Sequence, residues 1–426
     1  MTITLFLGSL LGSMALGIPI AFALMVTGVV LMLHLDTFDA QILAQSLING
    51  ADSFPLLAIP FFMLAGEIMT VGGLSRRIVA LPMALVGHKR GGLGYVAIIA
   101  AVVMASLSGS AVADTAAIGA LLIPMMRKAG YDPNRSAGLI AAGGIIAPII
   151  PPSIPFVVLG VAGGISITKL FLAGIVPGLL LGLALGLAWW WLARGERTPV
   201  TERASWADIR RTVVDGVWAL MLPVIIVGGL KLGVFTPTEA AVVAAVYALV
   251  VSLFVYRELR FSQLYQVMLA AGKTTSVVML LVAAALVASW LLTIAELPMM
   301  MTELLEPLIG SPTLLLIVIM LLVFAIGTAM DLMPTVLILT PVLMPVIKAA
   351  GIDPVYFGVL FILNCSIGLI TPPVGTVLNV ICGVARIQIA DAVRGVWPFL
   401  LAHLAVLALL LAFPQLVLAP MRWLLP

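Results

Sequence analysis

Two aspartates, Asp114 and Asp331, stand in stretches otherwise built of small and apolar residues. The first closes the string Ser108-Gly109-Ser110-Ala-Val-Ala-Asp114, and the second sits within Gly327-Thr-Ala-Met-Asp331-Leu-Met-Pro-Thr335. A carboxylate among hydroxyls and backbone carbonyls offers the hard oxygens that a small cation binds. Downstream of each comes a proline doublet, in Ala147-Pro148-Ile149-Ile150-Pro151-Pro152-Ser153-Ile154-Pro155 and in Thr371-Pro372-Pro373-Val374-Gly375. An interior proline removes a backbone donor and clashes with the preceding turn. Carbonyls freed that way at membrane depth must be buried in protein or line a wet cavity, so each break is a candidate ion or solute site. The expected ion ligands are Ser108, Gly109, Ser110 and Asp114 with the carbonyls of Pro148 and Pro151. In the second set they are Gly327, Asp331 and Thr335 with Thr371 and Val374. Ser153, Thr376 and Asn379, just past the breaks, are placed to face a solute.

Plainer readings compete at the same residues. Asp114 and Asp331 both suit a helix N-cap, the small residues suit close helix contact, and a proline can merely kink. An unpaired carboxylate at midplane nevertheless costs about 2.5–3.5 kcal/mol on insertion scales, so each aspartate requires a cation, a proton or backbone amides. Two aspartates sharing a proton also describe an intramembrane protease, but Ser-Ala-Val-Ala-Asp and Thr-Ala-Met-Asp carry neither a Gly-x-Gly-Asp nor a Tyr-Asp context. The sequence therefore predicts no enzyme. A passive anion channel is separated from a pump only by a test of uphill accumulation.

The elements that must hold these groups are apolar. Of 426 residues, 63% are hydrophobic and 9% charged, and the mean hydropathy is +1.26. That composition predicts an all-α polytopic membrane protein. A net charge of +3, spread over short loops, gives no footing for nucleic acid. Cys365 and Cys382 are isolated, and His34, His88 and His403 do not cluster, so no disulfide framework or metal spacing exists.

Spans are expected at about 3–33, 54–71, 170–193 (ending in the aromatic anchor Trp189-Trp190-Trp191), 213–233, 237–256, 272–294 and 395–418. Leu74–Val86 and Glu296–Leu308 read as amphipathic interfacial helices. Residues 194–212, with Arg194, Arg197, Arg203, Arg210 and Arg211, read as a surface arm whose helix begins near Ser205. Segments 93–128 and 313–349 are too polar at their centres for ordinary spans and predict re-entrant hairpins with tips at 108–114 and 327–335, each limb of the first holding about 12–15 residues. Broken spans follow, with limbs near 135–147 and 156–163 and then across 355–384. Phe235-Thr-Pro-Thr-Glu239 reads as a turn opening a helix, and Met299-Met300-Met301 as interfacial packing.

The two halves repeat. Pro124 and Pro345, Ala129-Gly130-Tyr-Asp132-Pro133 and Ala350-Gly351-Ile-Asp353-Pro354, the two proline doublets, Gly174 and Gly395, and Pro177 and Pro398 are all 221 residues apart. Four spans and one hairpin separate the two breaks, so the second copy runs opposite to the first, an inverted repeat of transporter type. Placing the 194–212 arm in the cytoplasm also puts Arg76, Arg77, His88–Arg90, Arg127, Lys128, Arg135, Arg257, Arg260, Lys273, Arg386 and Arg394 inside, and leaves Asp36, Asp39, Glu296, Glu303 and Glu306 outside, with Lys169, Lys231, Lys348 and Arg422 as the basic exceptions there. The expected division is 1–92 as N-terminal scaffold and amphipathic helix, 93–165 as the first transport half, 166–312 as scaffold with the arm, 313–385 as the second transport half, and 386–426 as a C-terminal scaffold span.

Four strings in this order, Ser106-Leu-Ser-Gly-Ser-Ala-Val-Ala-Asp114, Gly143-Gly-Ile-Ile-Ala-Pro-Ile-Ile-Pro-Pro-Ser-Ile-Pro155, Phe235-Thr-Pro-Thr-Glu-Ala240 and Ile370-Thr-Pro-Pro-Val-Gly375, resemble the large membrane subunit, DctM type, of the tripartite ATP-independent periplasmic (TRAP) transporters. The resemblance covers the whole chain. It implies an inverted-repeat, elevator-type ion-transporter fold and a sodium-driven importer of the bacterial inner membrane. It further implies an organic acid delivered by a periplasmic binding protein, a separate small four-helix membrane subunit, and no cofactor beyond Na+ as coupling ion. The two sodium sites of the family would lie between each hairpin tip and its neighbouring break. Asn49-Gly-Ala-Asp-Ser-Phe54 and Ala295-Glu-Leu-Pro-Met-Met300 are similar to the branch carrying sugar acids such as diketogulonate. A binding-protein-independent sodium–dicarboxylate carrier of related fold is the alternative.

Overall fold

A computed structural model of the chain describes residues 2–195 and 203–424; Arg197 lies outside them. All regular structure among the described residues is helical, and seven helices there are long and apolar enough to cross a membrane. The fold is that of an all-α, multi-pass membrane protein.

The chain opens with α1 (Thr2–Ala15), α2 (Ile20–His34), α3 (Ala40–Ala51), α4 (Ala58–Val71) and α5 (Leu74–Val86). The single span expected at 3–33 is thus two helices packed on each other. Pro19 supplies the fixed φ that starts α2. Helix α3 was not expected; Asp39 caps it through the amides of Gln41 and Ile42. The first hairpin is α6 (Gly92–Ser108) and α7 (Ala111–Lys128), and the first broken helix is α8 (Pro133–Gly144) and α9 (Ile154–Gly163). After α10 (Ile167–Ala193) come α11 (Trp206–Lys231), α12 (Pro237–Val250, prolonged by a π-helical turn to Val255) and α13 (Phe261–Ile294). Ser205 caps α11 as expected, but the arm continues into the span without a break. Helix α13 likewise begins well before residue 272.

The second half repeats the pattern with α14 (Leu297–Ile309), hairpin α15 (Pro312–Gly327) and α16 (Leu332–Ala349), broken helix α17 (Pro354–Gly368) and α18 (Thr376–Ala385), then α19 (Ile389–Ala412) and α20 (Gln415–Leu424). The last expected span, 395–418, divides between α19 and α20. The repeat register survives folding: α7 and α16 are 18 residues each and both of their ends are 221 positions apart. Both Ala-Gly-x-Asp-Pro strings end one helix in a left-handed glycine and start the next with an aspartate cap, at Asp132 and Asp353.

Helix α17 forms the centre, buried at every position from Val355 to Gly368, as befits a helix apolar all round. Around it the chain forms two bodies. Helices α4, α11, α12 and α13 pack together with α2, α3 and α5, and Glu258 ties the start of α5 to the α12–α13 connection by pairing with Arg76 at 2.9 Å and Arg77 at 2.7 Å. The other body holds both hairpins and both broken helices. Helices α10 and α19, which the sequence reading places among the scaffold spans, pack with this second body: α19 on α8, and α10 on α19, α6, α9 and α17. The cause is visible at Gly395, where a Cβ would stand 1.8 Å from the Asn134 carbonyl oxygen, and at Gly138, whose Cβ would meet the Gly395 backbone. Only glycine permits this backbone contact. Trp189 belongs to the same correction. It is fully buried, stacks with Tyr131 and Phe399, and donates to the Gly91 carbonyl at 2.8 Å; Trp190 and Trp191 alone keep the exposure expected of an interfacial anchor.

Candidate functional site

The first hairpin turns through Gly109 and Ser110. Ser110 caps α7 by accepting from the Ala113 amide, and Ser108 donates its hydroxyl to Asp114 Oδ1 while accepting from the Ser110 amide at 3.1 Å. Asp114 therefore lies in the first turn of α7 without being its cap. It is 1% exposed, and its Oδ2 has no hydrogen-bond partner. The hairpin tip rests on the break: a Cβ on Gly109, which holds φ 62, would come 2.6 Å from the Pro152 carbonyl oxygen and 3.2 Å from the Ile154 nitrogen. The limbs, 17 and 18 residues long, exceed the expected 12–15. At 1.5 Å per residue each limb is about 26–27 Å long, and the tip meets the break at Pro152–Ile154.

Within the break, Ile146 donates to Gly143 and Ala147 to Gly144, tightening the last turn. Pro148 differs from expectation, since its carbonyl already accepts the Ser153 hydroxyl at 2.5 Å. Ser153 is fully buried and caps α9 through the Phe156 amide, so its hydroxyl is committed to the fold rather than turned toward a solute. Among the described residues no donor reaches the carbonyls of Ile150, Pro151 or Pro152. These oxygens, Ser108 Oγ and Asp114 Oδ2 suit a desolvated hard cation.

The second junction has the same plan with different bonds. The Val374 amide donates to the Thr328 carbonyl at 3.2 Å, and a Cβ on Gly368 would strike Gly327. Asp331 occupies the N-cap position of α16, but its side chain caps nothing; it accepts instead from Thr376 Oγ1 at 3.2 Å. Thr335 and Thr371 return their hydroxyls to carbonyls one turn back, those of Asp331 and Ile367. Asn379 donates to the Val374 carbonyl at 2.9 Å and is exposed. Both Pro–Pro peptide bonds, 151–152 and 372–373, are cis.

A cavity of about 240 Å³ lies between the two tips, bounded by Gly109, Ser110, Ala111 and Val112 on one side and Asp331, Leu332 and Met333 on the other. Pro148, Ile154, Pro155 and Leu369 come from the broken helices, and Met63, Thr274 and Val278 from α4 and α13. Residues of the first turns of α7 and α16 both border it, and helix starts leave amides without intrahelical partners and favour negative charge. No Lys or Arg lines it. The two far half-helices are unequal. Residues Ile154–Gly160 of α9 are buried throughout, whereas α18 exposes Asn379 and Gly383, and Val374 before it is 41% exposed.

Residues 7–416 match the family described as tripartite ATP-independent periplasmic transporter, DctM component. The chain belongs to this family. It is 62% identical over 423 residues to the 2,3-diketo-L-gulonate TRAP transporter large permease protein YiaN of Escherichia coli, covering 99% of this chain and 100% of that one. It is 38% identical to the sialic acid TRAP transporter large permease protein SiaM of Vibrio cholerae, over 95% of each. Among solved structures, the Alcanivorax borkumensis YdaH transporter shares the fold, with a TM-score of 0.64, 16% identity, and coverage of 90% and 91%. The DctM-type, diketogulonate-branch likeness read in the sequence is thereby established, and with it a non-enzymatic transporter permease.

Three further residues of this DctM component stand at the site without having been singled out. Thr328 adjoins a nominated glycine. His403, fully buried on α19, takes the Ala142 carbonyl at 3.0 Å, which the break deprives of the Ile146 amide. Glu67 on α4 borders a smaller cavity beside the first tip; as a lone carboxylate in an apolar span it carried its own signal.

Proposed function

We propose that this DctM component carries a sugar acid into the cell, driven by sodium, in the bacterial inner membrane. A periplasmic binding protein would deliver the solute, and a small membrane subunit would complete the permease, as the family description and the names of the relatives suggest. The observation that carries the reading is the pair of tip-on-break junctions flanking one 240 Å³ cavity. A cation at each junction would draw tip and break together and fix the amides at the starts of α7 and α16. Those amides would hold a carboxylate without any arginine, so ion and solute would bind cooperatively. The volume is below the ~300 Å³ floor of drug-sized pockets, which favours a small solute.

The two-body packing supports alternating access by an elevator motion. The mobile body would comprise the hairpins, the broken helices and, by their contacts, α10 and α19; α5 and α14 would serve as its arms. With the basic loops inside, the exposed face of α18 and the sealed face of α9 describe an inward-facing arrangement. The test is solute uptake into proteoliposomes containing both membrane subunits, with the binding protein outside. Uptake is expected to need an inward sodium gradient and the binding protein. Accumulation that persists when sodium is equal on both sides sinks the coupling, and full uptake without binding protein restores the simpler carrier.

A further inference from the structure

Glu67 is the only charged residue in the span Phe54–Val71, and no hydrogen bond or ion pair reaches it among the described residues. It sits on α4, in the body opposite the hairpins. Across the gap stands Asp114, and both line one cavity of about 120 Å³. The wall also carries the hydroxyl residues Thr70, Ser75 and Ser108, and no Lys or Arg. Asp114 is the telling member: it is buried, with Oδ1 bound to Ser108 and Oδ2 bound to nothing.

A carboxylate buried like Asp114 loses hydration and needs a proton or a cation in its place, and the cavity offers it no base. The cavity exceeds the 10–15 Å³ or so that one water centre requires, so it admits a cation that keeps part of its water shell. Its position matters as much as its charge. It touches the first junction at Ser108 and Ser110 and extends along α4 toward Ser75, beside the Arg76–Arg77 end.

We infer that the cavity between α4 and the first hairpin is a second sodium position that adjoins the first junction and shares Asp114 with it, a waypoint in which Glu67 receives the ion released from the Ser108–Asp114 junction. The inference rests on the sodium reading above and adds a residue from the stationary body to the ion's path. Because Glu67 and Asp114 lie on different bodies, an ion there bridges them only while the hairpin stands at this height.

The test is site-specific. Ser75→Cys, placed in a Cys382→Ser background because Cys382 is the partly accessible native thiol, is alkylated in nanodiscs while sodium replaces potassium at constant ionic strength. Sodium is expected to slow alkylation, Glu67→Gln to raise the half-protecting sodium concentration about tenfold (about 1.4 kcal/mol), and Glu67→Asp to keep most of the protection. Equal rates in sodium and potassium, equal half-protection in Glu67→Gln, or protection by magnesium alone overturns the inference. Uptake that follows the sodium gradient while the introduced thiol remains unprotected refutes the waypoint and leaves the junctions standing. Protection that depends on Glu67 in a protein whose uptake ignores sodium does the reverse.

Discussion

Gly109→Ala is the most direct trial of the tip-on-break junction. The residue holds φ 62, and a Cβ there would stand 2.6 Å from the Pro152 oxygen, 3.2 Å from the Ile154 nitrogen and 3.3 Å from Ser153 Cα. Left-handed backbone costs an L-residue about 1–2 kcal/mol, and an added methyl in a packed contact about 1–3 kcal/mol, so roughly 2–5 kcal/mol is at stake. The break cannot readily retreat, because a Cβ on Gly174 of α10 would already stand only 2.2 Å from the Ile149 oxygen on its far side. The strain is relieved by the tip lifting away, which spreads the oxygens that would surround an ion. Even the lower figure of about 2 kcal/mol corresponds to a rise of roughly thirtyfold in the sodium concentration for half-maximal uptake. Gly130→Ala is the control: φ is 78, but nothing lies within 4 Å, so only the backbone strain applies, far from the site. Proteoliposome uptake against sodium concentration, with thermal melting of the same preparations, separates the two. A Gly109→Ala protein that inserts normally and keeps a sodium half-saturation within about threefold of the native value refutes the junction.

Asp331→Ala is expected to impair sodium-dependent uptake with normal membrane insertion, and Thr376→Val to do so more weakly; in a double-mutant cycle the two losses should not add. Additive losses would show that the 3.2 Å contact couples nothing. His403→Phe keeps the ring volume but leaves the Ala142 carbonyl without its donor, a cost of about 1–3 kcal/mol. Hydrogen exchange in 145–153 should then accelerate, and His403→Gln should restore most of the protection. Gly395→Ala drives a methyl into the Asn134 carbonyl and should lower the melting temperature by several degrees, in line with overpacking of about 1–3 kcal/mol; an unchanged melt would dissolve the α8–α19 contact.

Features with local causes were legible in the chain. Proline doublets break helices wherever they stand, so both breaks fall where the sequence puts them. The Ser205 cap and the repeat register of α7 and α16 follow from equally local chemistry. What hydropathy alone leaves hidden is the direction an apolar face looks. Trp189 turns inward, and α10 and α19 join the hairpin body, because lipid and protein neighbours are equally apolar and only glycine-mediated contact decides between them. Helix α3 escaped because its 12 residues are too short to register as a span. At the site, the aspartates, the tips and the breaks were identified together, whereas the commitment of Ser153 to the Pro148 carbonyl depends on a bond that composition does not foretell. Glu67 is conspicuous in the sequence as a lone carboxylate in an apolar span, but its neighbour across the cavity, Asp114, is remote in sequence and brought opposite by folding.

The unequal surroundings of α9 and α18 have a consequence for engineering. These half-helices are equivalent members of two oppositely running copies, ten residues each, yet one is packed away and the other is open. The contacts around α9 are therefore a template for α18 in the opposite-facing form. Bulk added at Gly383, which has open space around it here, should wedge the cytoplasmic side and hold the permease in one conformation, yielding a trapped protein from a single surface substitution.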